Sequence, residues 1–322
     1  MDWFLILFLI FVLSVLALDL GVFHRHARIV PVREALAWTS VWITLALLFN
    51  VLVYFMYEHH WLGMGLQPGQ EPTGQRAALQ FLTGYIVEES LSLDNVFVIA
   101  LIFDHFKIPT LYQHRVLFWG IIGAIVMRGA MIAAGIALIR RFEWIVYIFG
   151  AFLVITALKM LFTRQENFEP EKNLLFRLTR RIFPVSTKIH GESFFCRIDG
   201  KRAITPLFLV LVLVESSDVL FAVDSIPAIF AITQDPFIVF TSNIFAILGL
   251  RSMYFLMAGA MEKFRYLKTS LAFVLVFIGV KMLLAHHHPI PVVVSLPVIL
   301  GILLLGVVVS LFATRRETAR NR

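Results

Sequence analysis

Carboxylates lie inside one of the most apolar stretches of this chain. The segment ESSDVLFAVDSIP places Glu215, Asp218 and Asp224, followed by Pro227, within the otherwise apolar residues 204–232. An ionised carboxylate at the centre of a membrane-spanning helix costs about 2.5 to 3.5 kcal/mol on insertion scales, so such groups must be partnered, hydrated or protonated. The chemistry that this predicts is the binding of a cation, or of protons, inside a membrane.

A second apolar stretch carries polar oxygens on one side of a helix. Residues 81–103 contain Glu88, Ser92 and Asn95, which lie within about 60° of one another on an ideal helix. Asp94 lies about 120° from Glu88 on the same helix. The spacing predicts one oxygen-bearing face, and it leaves the participation of the neighbouring Glu89 open.

The first stretch predicts a similar face and a break in its helix. Glu215, Asp218 and Ser225 share one side, whereas Asp224 points about 180° from Glu215. Pro227 cannot donate a hydrogen bond to the carbonyl four residues before it, so the helix is predicted to kink or open beside Asp224. A carbonyl freed in this way is tolerated at membrane depth against protein or water, where it can help to hold a cation.

The types of ligand narrow the choice of ion. Carboxylate, amide and hydroxyl oxygens without His or Cys suit Mn²⁺, Mg²⁺ or Ca²⁺ better than Cu⁺ or Zn²⁺. The predicted metal ligands are Glu88, Asp94, Asn95, Glu215, Asp218 and Asp224, with Ser92, Ser225 and Asn243 as additional polar ligands. Asn243 is either a ligand or an interhelical hydrogen-bonding group. Arg128 and Arg251 either neutralise the acids in a structural network or compensate charge and gate the site when it is empty.

These residues must be positioned by membrane-spanning helices. Hydrophobic residues make up 59% of the 322, charged residues 15%, and the mean hydropathy is +0.85. Apolar segments of about 20 residues, each enough to cross a bilayer core of about 30 Å, recur along the whole chain. Nine spans are predicted, at residues 3–23, 35–57, 79–103, 116–139, 144–162, 203–232, 237–261, 269–285 and 292–312. The fold class is therefore an all-α polytopic membrane protein.

Basic residues indicate the orientation of the chain. Most of the 28 Lys and Arg residues fall in the loops on one side of the predicted spans. The positive-inside rule then places the N-terminus in the periplasm and the C-terminus in the cytoplasm, in the cell inner membrane. The basic charge needs no nucleic acid as a partner, since membrane topology and contact with anionic lipid account for it. The single cysteine, Cys196, excludes an intramolecular disulfide and a cysteine metal cage.

An internal repeat is indicated by three matches in chain order. Ser92-x-Asp94-x-x-Phe97 matches Ser216-x-Asp218-x-x-Phe221 at an offset of 124, GAIVMRG matches AILGLRS at 123, and Lys159-Met160-Leu161 matches Lys281-Met282-Leu283 at 122. Because each unit has three spans, the second copy must have the opposite orientation, as in many secondary transporters. The predicted organisation is a leading two-helix segment at 1–78, repeat A at 79–163, a cytoplasmic loop with a hairpin at 164–202, repeat B at 203–285, and a final helix with a basic tail at 286–322.

Three segments also resemble a known family. FLTGYIVEESLSLDNVFVIALIF, LVESSDVLFAVDSIPAIFAIT and DPFIVFTSNIFAILGLRSMYFL are similar to the TerC family of integral membrane proteins, and in particular to its Alx-type members. The resemblance implies Mn²⁺ efflux, metal homeostasis at alkaline pH and a historical link to tellurium resistance. It also implies that the acidic motif residues of the family correspond here to Glu88, Asp94, Glu215, Asp218 and Asp224, with Glu89 standing where the family pattern has a basic residue.

Three classes of function remain open at this point. The first is a secondary transporter that exports Mn²⁺, with exchange for H⁺ on the same carboxylates as one option and no tightly bound cofactor. The second is a membrane scaffold or metallation partner for exported enzymes, which the basic loop at 163–202 favours. The third is an intramembrane aspartyl hydrolase, although no Gly-x-Gly-Asp pattern occurs. The expectation is a transporter and not an enzyme, and the sequence leaves an oligomer open.

Overall fold

Helices account for almost all of the folded chain. A computed structural model describes residues 2–18, 31–64, 73–162, 170, 173–186, 188–198, 200–257, 267–285 and 288–320. Within these residues it contains ten α-helices and one two-stranded hairpin. The elements are α1 (Asp2–Leu18), α2 (Val32–Glu58), α3 (Gly74–His105), α4 (Thr110–Arg141), α5 (Ile145–Phe162), α6 (Leu174–Ile182), β1 (Phe195–Ile198), β2 (Lys201–Ile204), α7 (Pro206–Phe230), α8 (Pro236–Met257), α9 (Leu267–Leu283) and α10 (Val292–Arg320).

The structure confirms a polytopic, all-helical membrane protein. Each of the nine predicted spans coincides with a helix, and α6 is the additional one. Six helices of the described chain are long and apolar enough by themselves to cross a membrane, namely α2, α4, α5, α7, α8 and α10. Helices α1 and α9 have 17 residues each, whereas α3 carries the acidic motif.

The loop between α5 and α7 differs in part from its prediction. The predicted hairpin is present, with β1 antiparallel to β2 and Gly200 at a φ of +78° in its turn, while Asp199 lies outside the described residues. An additional helix, α6, follows Asn173 in the same loop. The Asn173 side chain accepts a hydrogen bond from the Phe176 N–H and so caps α6.

Helix α8 is the centre of the bundle. It is buried along nearly its whole length, and α2, α3 and α4 pack against it. A helix that is apolar all round and also carries Thr241, Ser242, Asn243 and Arg251 must find polar partners within the protein, because lipid offers none. Helix α7 completes the central group by packing on α3 and α4. Helices α3, α4, α7 and α8 surround the candidate site.

Helices α5 and α9 form a separate tight pair at the edge of this group. They cross where Gly150 meets Gly279. A Cβ added at Gly279 would lie 2.8 Å from the Gly150 carbonyl oxygen and 2.8 Å from Val154 Cγ2. Glycine lets two helix backbones approach in this way, which is how packing holds helices together within a membrane.

The crossing predicts that Gly279→Ala destabilises the protein. Overpacking of this kind costs about 1 to 3 kcal/mol, which outweighs the gain of about 1 kcal/mol in helix propensity from replacing glycine by alanine. The matched control is Gly301→Ala in α10, where an added Cβ meets none of the described atoms within 4 Å. Thermal unfolding in detergent should show a lower Tm for Gly279→Ala and no decrease for Gly301→Ala, and equal Tm values for the two variants would contradict the predicted crossing.

Candidate ion-binding site

Arg128 lies at the centre of the site. Its Nε and Nη2 donate to Oδ2 and Oδ1 of Asp218 over 3.0 Å and 2.7 Å, which is a two-pronged contact. Its Nη1 donates to Glu88 Oε1. Arg128 is 1% exposed and Glu88 is fully buried. Charge-assisted contacts of this geometry are among the stronger ones in proteins, and the buried charges depend on them.

Two neutral groups surround the same guanidinium. Nη1 of Arg128 lies 3.4 Å from Ser225 Oγ and 3.4 Å from Asn243 Oδ1. Ser225 follows Asp218 by seven residues, two turns of α7, so both side chains face α4. One side chain of α4 therefore contacts α3, α7 and α8 together.

Several polar atoms near this cluster remain unused. Among the described residues, no hydrogen-bond partner contacts Glu88 Oε2, Ser92 Oγ, Asn95 Oδ1, Glu215 Oε2 or Asn243 Nδ2. Four of these five atoms are oxygens, and a buried oxygen without a partner is costly. The donor set thus retains coordination capacity after Arg128 has been satisfied.

A pocket opens beside Asp218, between α3, α4 and α7. Its polar wall consists of Asn95, Ser217 and Asp218, and its other walls are apolar. On α4 it extends from Ala124 toward Leu117, which is the direction from Arg128 toward the start of that helix. The pocket therefore reaches the acidic cluster from the side of the α5–α7 loop.

Glu215 occupies space that a glycine of α4 provides. A Cβ added at Gly123 would collide with the Glu215 carboxylate, and one added at Gly120 would lie 3.4 Å from Val214 Cγ1. Glu215 is half-buried and is one turn from Asp218 on the same side of α7. Glu88, Asp218 and Glu215 thus supply three carboxyl groups at the site, against the one guanidinium of Arg128.

The structure places Asp94 away from this cluster. Asp94 is half-buried, and the charged group that acts on it is Lys268 at the start of α9. Its sequence counterpart Asp218 contacts Arg128 directly. The contacts seen in the described chain do not join Asp94 to Arg128.

Asp224 has a different partner, and α7 is not broken beside it. The Asp224 side chain lies close to Thr156 of α5. The predicted opening at Pro227 is wrong, because α7 continues through this residue to Phe230. Pro227 still cannot donate to the Val223 carbonyl, so it removes one intrahelical hydrogen bond without ending the helix. Thr156 can be reached without a break because α5 packs on that side of α7.

Two charged residues named from the sequence remain: Arg251, which was predicted to compensate charge or gate the site, and Glu89, whose participation was left open. Arg251 is buried in α8. Glu89 faces Gly249 and Trp42, and its Oε2 contacts no hydrogen-bonding group among the described residues. Glu89 is therefore near the site in sequence and directed toward α2 and α8 in space.

Three residues of the site were not expected from the sequence. Gly123 makes room for Glu215, Thr156 receives Asp224, and Asn173 donates through its side-chain amide to Ser216 Oγ. All three contacts depend on how the helices pack against one another, which the sequence does not show locally.

The guanidinium of Arg128 occupies the centre of the acidic cluster. No group of three or more His, Cys, Asp or Glu side chains converges for metal binding in the part of the chain that the structure describes. The carboxylates instead converge on the Arg128 guanidinium. A cation that binds the oxygens paired with Arg128 would have to displace the guanidinium, whereas Glu88 Oε2 and Glu215 Oε2 have no hydrogen-bond partner among the described residues.

The sequence of the chain is similar to that of proteins in a known family. The model of the integral membrane protein TerC family matches residues 73–318. A Myxococcus xanthus protein described as "Uncharacterized membrane protein STKORF319" is 52% identical over 308 residues, which cover 96% of this chain and 92% of that protein. The Escherichia coli K12 protein described as "Putative membrane-bound redox modulator Alx" is 46% identical over 311 residues, which cover 96% and 94%. No solved structure matches the chain.

The Arg128 contacts predict a strong effect of removing the guanidinium. Arg128→Gln leaves Glu88 and Asp218 buried without their cation, which is expected to cost about 3 to 5 kcal/mol in the free energy of unfolding. Unfolding in detergent should measure this loss. The exposed Arg140 at the end of α4 supplies the control, since Arg140→Gln should change stability by no more than about 0.5 kcal/mol.

A combined variant distinguishes a charge effect from a packing effect. Arg128→Gln together with Glu88→Gln and Asp218→Asn removes all three charges and should recover most of the lost stability. A combined variant as unstable as Arg128→Gln alone would show that the ion pairing is not what the fold depends on.

Proposed function

The chain belongs to the TerC family of integral membrane proteins, and we propose that it is a secondary transporter that exports a divalent cation, Mn²⁺ above all, from the cytoplasm. The observation that carries this proposal is the buried excess of carboxylates around Arg128, next to a pocket that reaches Asp218. Acids at membrane depth are rare and costly, and they mark ion pathways far more often than structural networks.

Charge balance supports a cation as the substrate. Glu88, Asp218 and Glu215 exceed the single positive charge of Arg128, and Glu88 Oε2 and Glu215 Oε2 have no hydrogen-bond partner among the described residues. An ion that binds these oxygens relieves both the charge excess and the unsatisfied acceptors. Asp94 and Asp224 lie on other sides of their helices, so we place them along the route of the ion and not in the central site.

Arg128 acts in this proposal as the occupant of the site between transport events. Its guanidinium holds Asp218 and Glu88 while no metal is bound, which keeps the carboxylates paired. Incoming metal competes for the same oxygens, and the displaced guanidinium has Ser225 Oγ and Asn243 Oδ1 as neighbouring acceptors at 3.4 Å. The empty and loaded forms then differ in one side-chain position, which can bias a larger movement.

The ligand chemistry favours a hard or borderline ion. Carboxylate, amide and hydroxyl oxygens suit Mn²⁺, Mg²⁺ and Ca²⁺, and the site contains no thiol or imidazole among its described residues. The family resemblance makes Mn²⁺ the first choice among them. Exchange for H⁺ on the same carboxylates is the simplest coupling, since a carboxylate releases its metal when it is protonated.

Helix packing supports an inverted repeat as the machinery of transport. Repeat A supplies α3, α4 and α5, and repeat B supplies α7, α8 and α9. In an inverted repeat α3 is equivalent to α7, and α4 is equivalent to α8. The contact between α3 and α8 then has its counterpart in the contact between α7 and α4, and both contacts are present. The offset of 122 relates Gly150 to Ala272 and Ala157 to Gly279, and all four residues are buried. Such a pair of half-structures around one site is suited to alternating access.

The name of the Escherichia coli relative points to redox modulation, which this chain cannot perform through an internal disulfide. Cys196 is the single cysteine of the 322 residues. We therefore propose no chemistry that needs an internal disulfide. A membrane scaffold that helps to load metal into exported enzymes is the second candidate, and the exposed basic helix α6 favours it. Replacing the α5–α7 loop would distinguish this candidate from the transporter. The scaffold function predicts that Mn²⁺ flux stays intact while the cellular function is lost.

Flux in proteoliposomes tests the transporter directly. Entry of Mn²⁺ can be followed by quenching of a trapped calcein dye. Glu88→Gln and Asp218→Asn should each lower the initial rate by about tenfold or more, because affinity for hard cations follows the number of charged ligands. Mg²⁺ and Ca²⁺ as competitors measure the selectivity.

The control uses a carboxylate outside the cluster. Asp104 pairs with Lys107 at the end of α3, and its side chain is 79% exposed, so Asp104→Asn should leave the rate unchanged. Full Mn²⁺ flux in both Glu88→Gln and Asp218→Asn would contradict the proposal.

A further inference from the structure

Helix α6 presents an exposed apolar surface that the transport site does not use. Leu174 is 74% exposed, and Leu175, Leu178 and Ile182 are also exposed. On a helical projection these four side chains fall within an arc of about 100°. A nine-residue helix therefore carries one apolar stripe that is largely exposed.

Basic residues adjoin this stripe. Arg177, Arg180 and Arg181 are exposed, and on the same projection they occupy an arc of about 100° next to the stripe. Arg180 lies 5.6 Å from the ring centroid of Phe176. A short helix with an exposed apolar stripe beside a row of arginines has the pattern of helices that lie in the interface of a membrane.

The third side of α6 holds it against the spanning helices. Phe176 is buried, and its ring lies 5.9 Å from that of Phe106 at the end of α3. Asn173 caps α6 and donates to Ser216 of α7. Because Phe176 faces the protein, the apolar stripe is directed away from it, alongside helices that themselves lie in the bilayer.

We propose that α6 docks on the anionic phospholipid headgroups of the bilayer surface on its own side, with its leucines in the acyl boundary and its arginines at the phosphates. Charge complementarity selects this occupant over neutral lipid, since three arginines lie beside four exposed apolar side chains. The bilayer is also in contact with α7, to which α6 is fixed. Asn173 then connects the lipid surface to the turn of α7 that carries Glu215 and Asp218.

A fluorescent label on α6 tests the docking without any measurement of transport. Leu178→Cys in a Cys196→Ser background offers one thiol for an NBD label. The labelled chain is reconstituted in phosphatidylcholine vesicles with or without phosphatidylglycerol, together with a nitroxide-bearing lipid as quencher. We expect a blue-shifted emission and strong quenching with phosphatidylglycerol, both weakened by salt.

Paired arginine variants supply the matched control. Arg180→Gln with Arg181→Gln should lower the salt concentration that halves the quenching, because each basic residue near an anionic surface shifts the docking equilibrium by about fivefold. Arg140→Gln with Arg141→Gln removes two adjacent arginines from the end of α4 and should leave the signal unchanged.

Three outcomes would overturn the proposal. Equal quenching in vesicles with and without phosphatidylglycerol would show that apolar insertion alone holds α6. Weak lipid quenching together with self-quenching between labelled chains would make the stripe an interface between copies. Quenching that responds equally to both pairs of arginine variants would mean that general charge, and not α6, attracts the lipid. The outcome of this experiment does not depend on whether the chain transports Mn²⁺, since the label reports only the position of α6.

Discussion

The rest of the central bundle depends on the contact of Arg128 with Asp218 and Glu88. A guanidinium inside a membrane protein is tolerated only with excellent geometry, and here two of its nitrogens contact Asp218 while a third contacts Glu88. This requirement fixes the relative depth of α3, α4 and α7, because a shift of one turn would separate the charges by about 5 Å. Asn243 adds α8 to the same constraint. A polar interaction thus specifies the register of four helices whose apolar surfaces would otherwise slide.

Small residues make that contact possible by bringing the helices close together. A Cβ at Gly84 of α3 would lie 3.0 Å from Ser242 Oγ of α8, and one at Gly123 of α4 would strike the Glu215 carboxylate. Without a hydrophobic driving force between helices in lipid, such close approach supplies the packing attraction. At Gly123 the same absence of a side chain also leaves room for an acid. The packing of α4 on α7 and the chemistry of the site are therefore set by the same residues.

The helix pattern and the polar faces could be predicted from the sequence, but the partners could not. All nine apolar segments became helices, because the bilayer leaves an apolar chain few alternatives. The shared side of Asp218 and Ser225 follows from helical spacing, and both meet Arg128. The repeat motif suggested equal roles for Asp94 and Asp218, yet the glutamate precedes the aspartate by six residues in one copy and by three in the other. That difference rotates Asp94 away from Glu88, and tertiary packing then gives it Lys268 as a neighbour. Asp224 reaches Thr156 without the predicted break at Pro227, because the position of α5 is not encoded locally.

The arrangement around Arg128 explains how a closed acidic cluster can still release its charges. The guanidinium uses Nε and Nη2 on Asp218, while its Nη1 lies near three acceptors, of which Glu88 is charged and Ser225 and Asn243 are neutral. Moving Nη1 from Glu88 to the neutral acceptors frees a carboxylate without leaving a donor unsatisfied, so the step loses charge attraction but no hydrogen bond. In the proposed transport function, a divalent ion at the freed Glu88 would restore that attraction with a higher charge. The neutral acceptors are therefore as necessary as the acids, because without them the ion pair would be too costly to open.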